Sequence, residues 1–237
     1  MPLVLGLDFE TSGLDPVNDR ITEVGAVLFD WNTALPLVLQ SDLVMCGASL
    51  SQEIVGLTGI TEEMLEDYGK GEHLVFVQLY DLIKRADYVL AHFGNDFDKK
   101  FCRETFSRLG LDWIEKPWLD SSCDIVYPKE VTTRNLQYLA AEIGFLNPFR
   151  HRAVFDVLTM LRVASEHPLE KIVARSHEPM IYVQALVDFK ENQKAKDFSF
   201  RWNPDKKIWW KGQKKSDWEA EQGGYQFKQS FMAGAPE

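Results

Sequence analysis

The stretch Leu3–Gly13, LVLGLDFETSG, constrains the fold of this chain more than any other. It opens as a near-continuous apolar run, the pattern of a strand covered on both faces, and then sets Asp8 and Glu10 where the run should still be apolar. Residues two apart on a strand point to the same face, so both carboxylates project together from one side of a sheet. Like charges in a poorly solvated place repel unless a cation sits between them. A divalent metal would supply that cation. The alternative is a strand running out into a solvated loop, for which Thr11, Ser12 and Gly13 would serve.

Further along, Ile21–Asp30 (ITEVGAVLFD) and Leu37–Val44 read as two more strands, separated by turn residues at Asn18-Asp19 and Trp31-Asn32-Thr33. Together with the first they suggest an antiparallel meander. Thr61, followed by Glu62 and Glu63, has the form of a helix N-cap with acids in the first turn. Leu74–Ala86 carries apolar residues at helical spacing and should pack on the sheet. Tyr88–Ala91 is a short buried strand ending at His92. The segment HFGNDFDKKFCRETFSRLG then enters a helix with an apolar stripe of Phe97, Phe101, Phe106 and Leu109. Asp98 falls in its first turn, either as an acid favoured by the helix dipole or directed at the strand ends, with Asp96 as its rival.

Trp118–Tyr127 is a short apolar segment with Asp120 and Asp124, and Arg134–Ile143 is a helix closed by Gly144. His151 precedes a further helix whose buried side carries Val154, Val157, Leu158 and Leu161, with Asp156 near that face. An acid among core positions costs several kcal/mol unless it is paired or on a metal. Arg152 and Arg162 are the salt-bridge candidates for Asp156.

Taken in order, these motifs resemble the DEDDh (DnaQ-like) 3′–5′ exonucleases. The resemblance rests on DFETSG, on LTGIT, on AHFGNDFDKKF and on HRAVFD, with five positions from His151 to Asp156, and it spans roughly Leu3–His167. Two departures are visible. The second motif has an extra residue and Phe93 where the family commonly reads His-Asn-x-x-Phe-Asp, so Asp98 is assigned by its Phe97 neighbour and by Phe101. The serine of DFETSG stands where threonine is frequent.

The resemblance implies an α/β, RNase H-like mixed sheet flanked by helices and a two-metal phosphodiester hydrolase releasing nucleoside monophosphates from 3′ ends. It implies two Mg²⁺ or Mn²⁺ ions, which hard carboxylate oxygens suit better than zinc. Asp8 would bridge both ions, Glu10 and Asp156 would complete the first site, and Asp98 would serve the second. His151 would be the general base, an imidazole being able to be neutral at working pH and still accept a proton. The loop ahead of its helix would let it swing in when substrate binds. Thr11, Gly59, Ile60 and His92 would grip the 3′-terminal nucleotide, Ile60 being alternatively plain core. The expected substrate is single-stranded DNA or DNA ends, with a polymerase or another replication protein as a further partner. An RNA-trimming enzyme of the same superfamily and a non-catalytic nucleic-acid-binding module are the alternatives.

Composition narrows this further. With 237 residues and 45% hydrophobic content the chain can bury a full core. The net charge of −10 argues against coating nucleic acid by bulk electrostatics. It does not exclude a nuclease, whose acids are offset locally by cations. No run approaches the roughly 18 apolar residues of a membrane span, and MPLVLGLDFE lacks the features of a secretory signal. A cytoplasmic protein is expected. Cys46, Cys102 and Cys123 are odd in number and widely spaced, so buried thiols are expected rather than disulfides or zinc ligands.

The exonuclease domain is expected over residues 1–168, a small Trp-rich module over 169–222, and a disordered tail over 223–237. The module reads as a β-α-β-β appendage: Met180–Phe189 as a strand, KENQKAKD as a short helix, and FSFRWNPDKKIWWK as a hairpin turning at Asn203-Pro204-Asp205. It is weakly similar to a Trp-rich module found behind exonuclease domains. Arg201, Trp202, Lys206, Lys207, Trp209, Trp210 and Lys211 interleave cations with aromatics, which would suit auxiliary contacts to single strands. The tryptophans would equally serve as the core of a small domain.

Overall fold

Leu3–Thr11 forms β1, and the rest of its sheet is built outwards from it. The computed structural model describes residues 1–95, 97–128, 130–131 and 133–236; Asp96, the rival of Asp98, lies outside the described residues. The chain divides into two units, Met1–Ser176 and His177–Glu237. The first contains, after β1, β2 (Ile21–Asp30), β3 (Leu35–Met45), α1 (Gln52–Thr58), α2 (Glu62–Tyr68), β4 (Lys70–Gly71) and α3 (Glu72–Arg85). It continues with β5 (Tyr88–Ala91), α4 (Asp98–Arg108), β6 (Trp118–Asp120), α5 (Leu136–Glu142), α6 (Ala153–Ala164) and α7 (Leu169–Ser176).

The six strands are ordered β4-β3-β2-β1-β5-β6. β1, β2 and β3 form the expected antiparallel meander, while β5 joins β1 in parallel and β6 joins β5 in parallel. The sheet is therefore the mixed, helix-flanked sheet of the RNase H-like class. Alternation along β1 divides the core. Leu5, Leu7 and Phe9 pack with Phe76 and Leu79 of α3 and with Phe101 and Phe106 of α4. Val4, on the opposite face, packs with Val27, Phe29 and the α6 residues Val154, Val157 and Leu161.

Two glycines set how closely α6 approaches. A Cβ on Gly25 would lie 2.3 Å from the carbonyl carbon of Ala153, and one on Gly6 would lie 2.7 Å from a Val157 methyl. Since Gly25 is the register partner of Asp8, the missing side chain opens the space into which the first turn of α6 descends. Among the shorter helices, Ser51 caps α1 by accepting from Ile54 N, and Thr61 caps α2 by accepting from Met64 N. α1 was not expected from the sequence; its seven residues end at Gly59, whose φ of 72° closes the helix.

The second unit contains β7 (Met180–Leu186), α8 (Asn192–Lys196), β8 (Arg201–Asn203), β9 (Ile208–Lys214), α9 (Lys215–Glu221) and β10 (Lys228–Met232). Its antiparallel sheet is ordered β10-β7-β9-β8. Val183, Ala185, Ala195 and Phe200 form its core, with Phe198, Trp209, Trp218, Tyr225 and Phe227 packed against them.

Two expected boundaries are corrected. Residues from Leu169 do not start the second unit: α7 belongs to the first, with Leu169 and Ile172 buried in the core beneath α6. The expected disordered tail over 223–237 contains a strand instead, because Lys228–Met232 pairs with β7 along its whole length. The alternation in KQSFM suits a strand, and it satisfies the β7 edge that β9 leaves open. No helix among the described residues is long and apolar enough to cross a membrane.

Replacing Gly25 with Ala forces α6 off the sheet. We expect destabilisation of about 1–3 kcal/mol, read from chemical denaturation, whereas Gly56→Ala, where an added Cβ meets nothing within 4 Å, should not destabilise through a clash.

Candidate active site

The period of two along β1 places Gly6, Asp8 and Glu10 on the α6 face, with Glu10 directly opposite Glu23 of β2. Asp156 lies in the first turn of α6. Its carboxylate accepts from the His151 backbone N–H at 2.7 Å, from Asn147 Nδ2 at 2.8 Å and from Gln137 Nε2 at 3.3 Å. His151 reaches this geometry with φ of 60°, a left-handed conformation that costs a non-glycine residue about 1–3 kcal/mol. Glu10, His151 and Asp156 each bring one atom able to ligate a metal to within 4.8 Å of the other two.

Asp98 arrives from the other side of β1. It opens α4, is 2% exposed, and accepts from the Phe9 backbone N–H at 3.1 Å. The pairing of β1 with β5 runs from Val4 to Gly6 only, so beyond it the carboxylate of Asp98 takes up a donor on the β1 edge. Asp120, 4% exposed, shapes the turn before α4 by accepting from Phe93 N at 3.0 Å and from Ser122 N at 2.9 Å.

The charges at this place are strained. Burial, and then the neighbouring Asp98, Glu10, Asp156 and Glu23, push the Asp8 carboxyl well above the ordinary carboxylate range. Burial, Glu23 and Asp156 raise Glu10 to about 8. Burial raises Asp98 to about 8 against the hydrogen bond from Phe9, and burial raises Asp156 despite its donors. Asp8 thus lies within electrostatic reach of Glu10, Asp98 and Asp156, while Glu10, His151 and Asp156 are the three whose ligand atoms come within 4.8 Å of one another. Neither arginine considered as a partner for Asp156 pairs with it: Arg152 bonds Glu23 at 2.9 Å and Arg162 pairs with Glu166.

Glu23 is the residue that sequence reasoning missed. It is 1% exposed, receives Arg152 through both carboxylate oxygens, and accepts from Ala153 N at 3.1 Å, capping α6 from the neighbouring strand. One signal was available, a charged residue inside the otherwise buried strand ITEVGAVLFD.

Of the residues expected to grip substrate, two are otherwise engaged. Ile60 is wholly buried and so packs as core rather than wedging a base. Both ring nitrogens of His92 are occupied, by Ser121 Oγ at 2.8 Å and by the Arg134 carbonyl at 2.6 Å, and burial lowers its pKa; it ties β5 to the following loops. Thr11 Oγ1 donates to the Gly13 carbonyl at 2.6 Å, and Gly59 closes α1.

A family model described as exonuclease, RNase_T, matches residues 5–164, from β1 to the end of α6. The chain belongs to the exonuclease family. This is the family to which the motifs pointed. The exonuclease unit is 32% identical over 151 residues to the DNA polymerase III PolC-type of Thermotoga maritima, an alignment covering 63% of this chain and 10% of that protein. The corresponding protein of Pediococcus pentosaceus is 27% identical over 151 residues. The chain thus spans about a tenth of the length of these relatives. Among solved structures, E. coli exonuclease I in complex with a dA16 oligonucleotide aligns with a TM-score of 0.63 at 17% identity, covering 78% of this chain and 48% of that one. At that identity the likeness is one of fold. Members of this family are typically dependent on divalent metals, and the residues present fit such a group: oxygen donors, mutually repelling, with Glu10, His151 and Asp156 close enough to share one ion.

Two outcomes follow from this electrostatics. Because the folded state raises Glu10 and Asp98 to about 8 while the unfolded chain keeps them in the ordinary carboxyl range, the folded chain without cations binds more protons in between. Its stability should therefore fall as pH rises from about 5 to about 8, and saturating divalent cation should remove that fall. Melting curves in chelator that stay flat or rise across this window, with no added effect of cation, would refute it. Truncating Glu23 to Ala leaves the Arg152 guanidinium and the Ala153 N–H without their acceptor, and should cost about 1–3 kcal/mol in denaturant unfolding.

Proposed function

We propose that this chain is a metal-dependent 3′–5′ exonuclease that hydrolyses the terminal phosphodiester bond of single-stranded DNA or of DNA ends. The observation that carries the reading is the convergence of Asp8, Glu10, Asp98 and Asp156 beside His151, in a chain of the exonuclease family. Four oxygen-donor side chains with raised pKa values favour hard cations, and these residues would hold two Mg²⁺ or Mn²⁺ ions. Such ions, when bound, neutralise charge on the phosphoryl oxygens and make water acidic enough to attack at neutral pH.

His151 is the proton acceptor in this reading. Its backbone is fixed by Asp156, which leaves the ring to take a proton from the attacking water as the new P–O bond forms. The bond to the 3′ oxygen of the preceding nucleotide then breaks, that oxygen taking a proton from solvent, which leaves a 3′ hydroxyl on the shortened strand and a nucleoside 5′-monophosphate. Glu23 and Arg152 position the start of α6, and through it both His151 and Asp156. The PolC-type relatives are DNA polymerases by name, which supports DNA as the substrate and a polymerase or other replication protein as partner.

End-labelled digestion of matched DNA and RNA strands, single and paired, with Mg²⁺, Mn²⁺ or chelator tests the proposal. The expected result is stepwise loss of 3′ nucleotides from single-stranded DNA, abolished by chelator. Asp8→Ala should lower the rate by about a hundredfold or more with an unchanged circular dichroism spectrum. Equal digestion by that variant overturns the assignment, and digestion confined to RNA replaces the substrate.

A further inference from the structure

The exonuclease reading leaves unused a groove of about 510 Å³ in the His177–Glu237 unit, beside the β8–β9 hairpin. Its walls include Leu186, Val187, Asp188, Trp202, Lys207 and Trp209. Trp202 and Trp209 are register partners on adjacent strands, with ring centroids 5.5 Å apart and planes inclined at 50°. Trp209 packs against the core of the unit, whereas Trp202 is 45% exposed. Burying the tryptophans is thus only half of what this pair does; the other half is an aromatic surface turned to solvent.

The cations of the unit are unevenly matched. Lys194, Lys211 and Lys215 have carboxylate partners. Arg201, Lys206 and Lys207 of the hairpin have none among the described residues, and Lys196 lies 5.6 Å over the Trp209 ring. The unit as a whole carries ten Lys and Arg against nine Asp and Glu, although the chain stands at −10. The negative charge therefore belongs to the unit that holds the acids of the candidate active site. On the groove itself, Glu191 is neutralised by Lys194 at 2.5 Å, leaving Asp188 as the other carboxylate among its lining residues.

We propose that this groove binds single-stranded nucleic acid, with one unpaired base stacked on Trp202 and the flanking phosphates on Lys207 and Arg201. Aromatic faces flanked by unpaired cations are the two elements that hold single strands without reading sequence, and a duplex would not offer the free base face. Asp188 at the groove repels phosphates and so keeps them to the hairpin side. The inference rests on the exonuclease reading for the identity of the polyanion. It adds to it a second contact, separate from the residues placed in hydrolysis, that would hold a longer strand between successive cleavages.

The test uses the full chain with metal chelated, so that binding is read without turnover, and a fluorescein-labelled oligothymidylate as probe. Trp202→Ala should weaken binding about 5- to 100-fold, and Trp202→Phe should restore much of it. Lys207→Asn suits a residue whose φ is 53°, since asparagine tolerates that conformation; it should lower the slope of log affinity against log salt by about one. In Mg²⁺, both variants should hydrolyse a trinucleotide as the parent does while slowing on long strands. Wild-type affinity and salt slope in both substitutions overturn the proposal, as does tighter binding of a duplex than of a single strand. A chain that binds the oligonucleotide through Trp202 yet hydrolyses nothing would keep the groove and sink the nuclease instead.

Discussion

Carboxylates crowded into a poorly solvated place repel one another, and the first unit of this protein is built around holding four of them there. Burial alone would push each towards its neutral form, and the neighbours push Asp8 and Glu10 further. Hydrogen bonds offset part of that cost: Phe9 donates to Asp98, and His151, Asn147 and Gln137 donate to Asp156. What these donors leave uncompensated is what a divalent cation would supply, and a cation bound there would link metal binding to the stability of this end of the fold. The same repulsion makes the site costly to hold without a compensating positive charge.

The scaffold meets this constraint through the approach of one helix. α6 can bring Asp156 to Asp8 because β1 and β2 present glycine at Gly6 and Gly25 beneath it. Glu23 then fixes its start by taking both Arg152 and the Ala153 N–H. The left-handed backbone at His151 is tolerated for the same reason, since it turns the N–H of that residue onto Asp156. A half-buried ion pair that would be weak evidence for stability in general has a positional purpose here. It fixes the start of α6, and with it the positions of Asp156 in the first turn and of His151 just ahead of the helix.

The second unit follows a different physical logic. Its small core is largely aromatic, with Phe198, Phe200, Tyr225 and Phe227 in mutual contact, and its charge is nearly balanced. Strand β10 shows how long-range pairing orders a segment in such a module. Residues 223–237 read as a disordered tail, yet pairing with β7 and the stacking of Tyr225 on Phe227 order residues 225–232.

The local chemistry of the chain determined the strands Leu3–Thr11, Ile21–Asp30 and Tyr88–Ala91, the apolar stripes of α4 and α6, the cap at Thr61, and the acids worth suspecting. Each of these depends on neighbours within a few positions, where periodicity and capping act. Only the tertiary structure decided that Arg152 belongs to Glu23 rather than to Asp156, that His92 and Ile60 are engaged inside the fold, that α7 closes the first core, and that the segment after Gly224 pairs as a strand. Those outcomes turn on contacts across tens of residues, such as Glu23 with Arg152, where the spacing along the chain carries no information about distance in space.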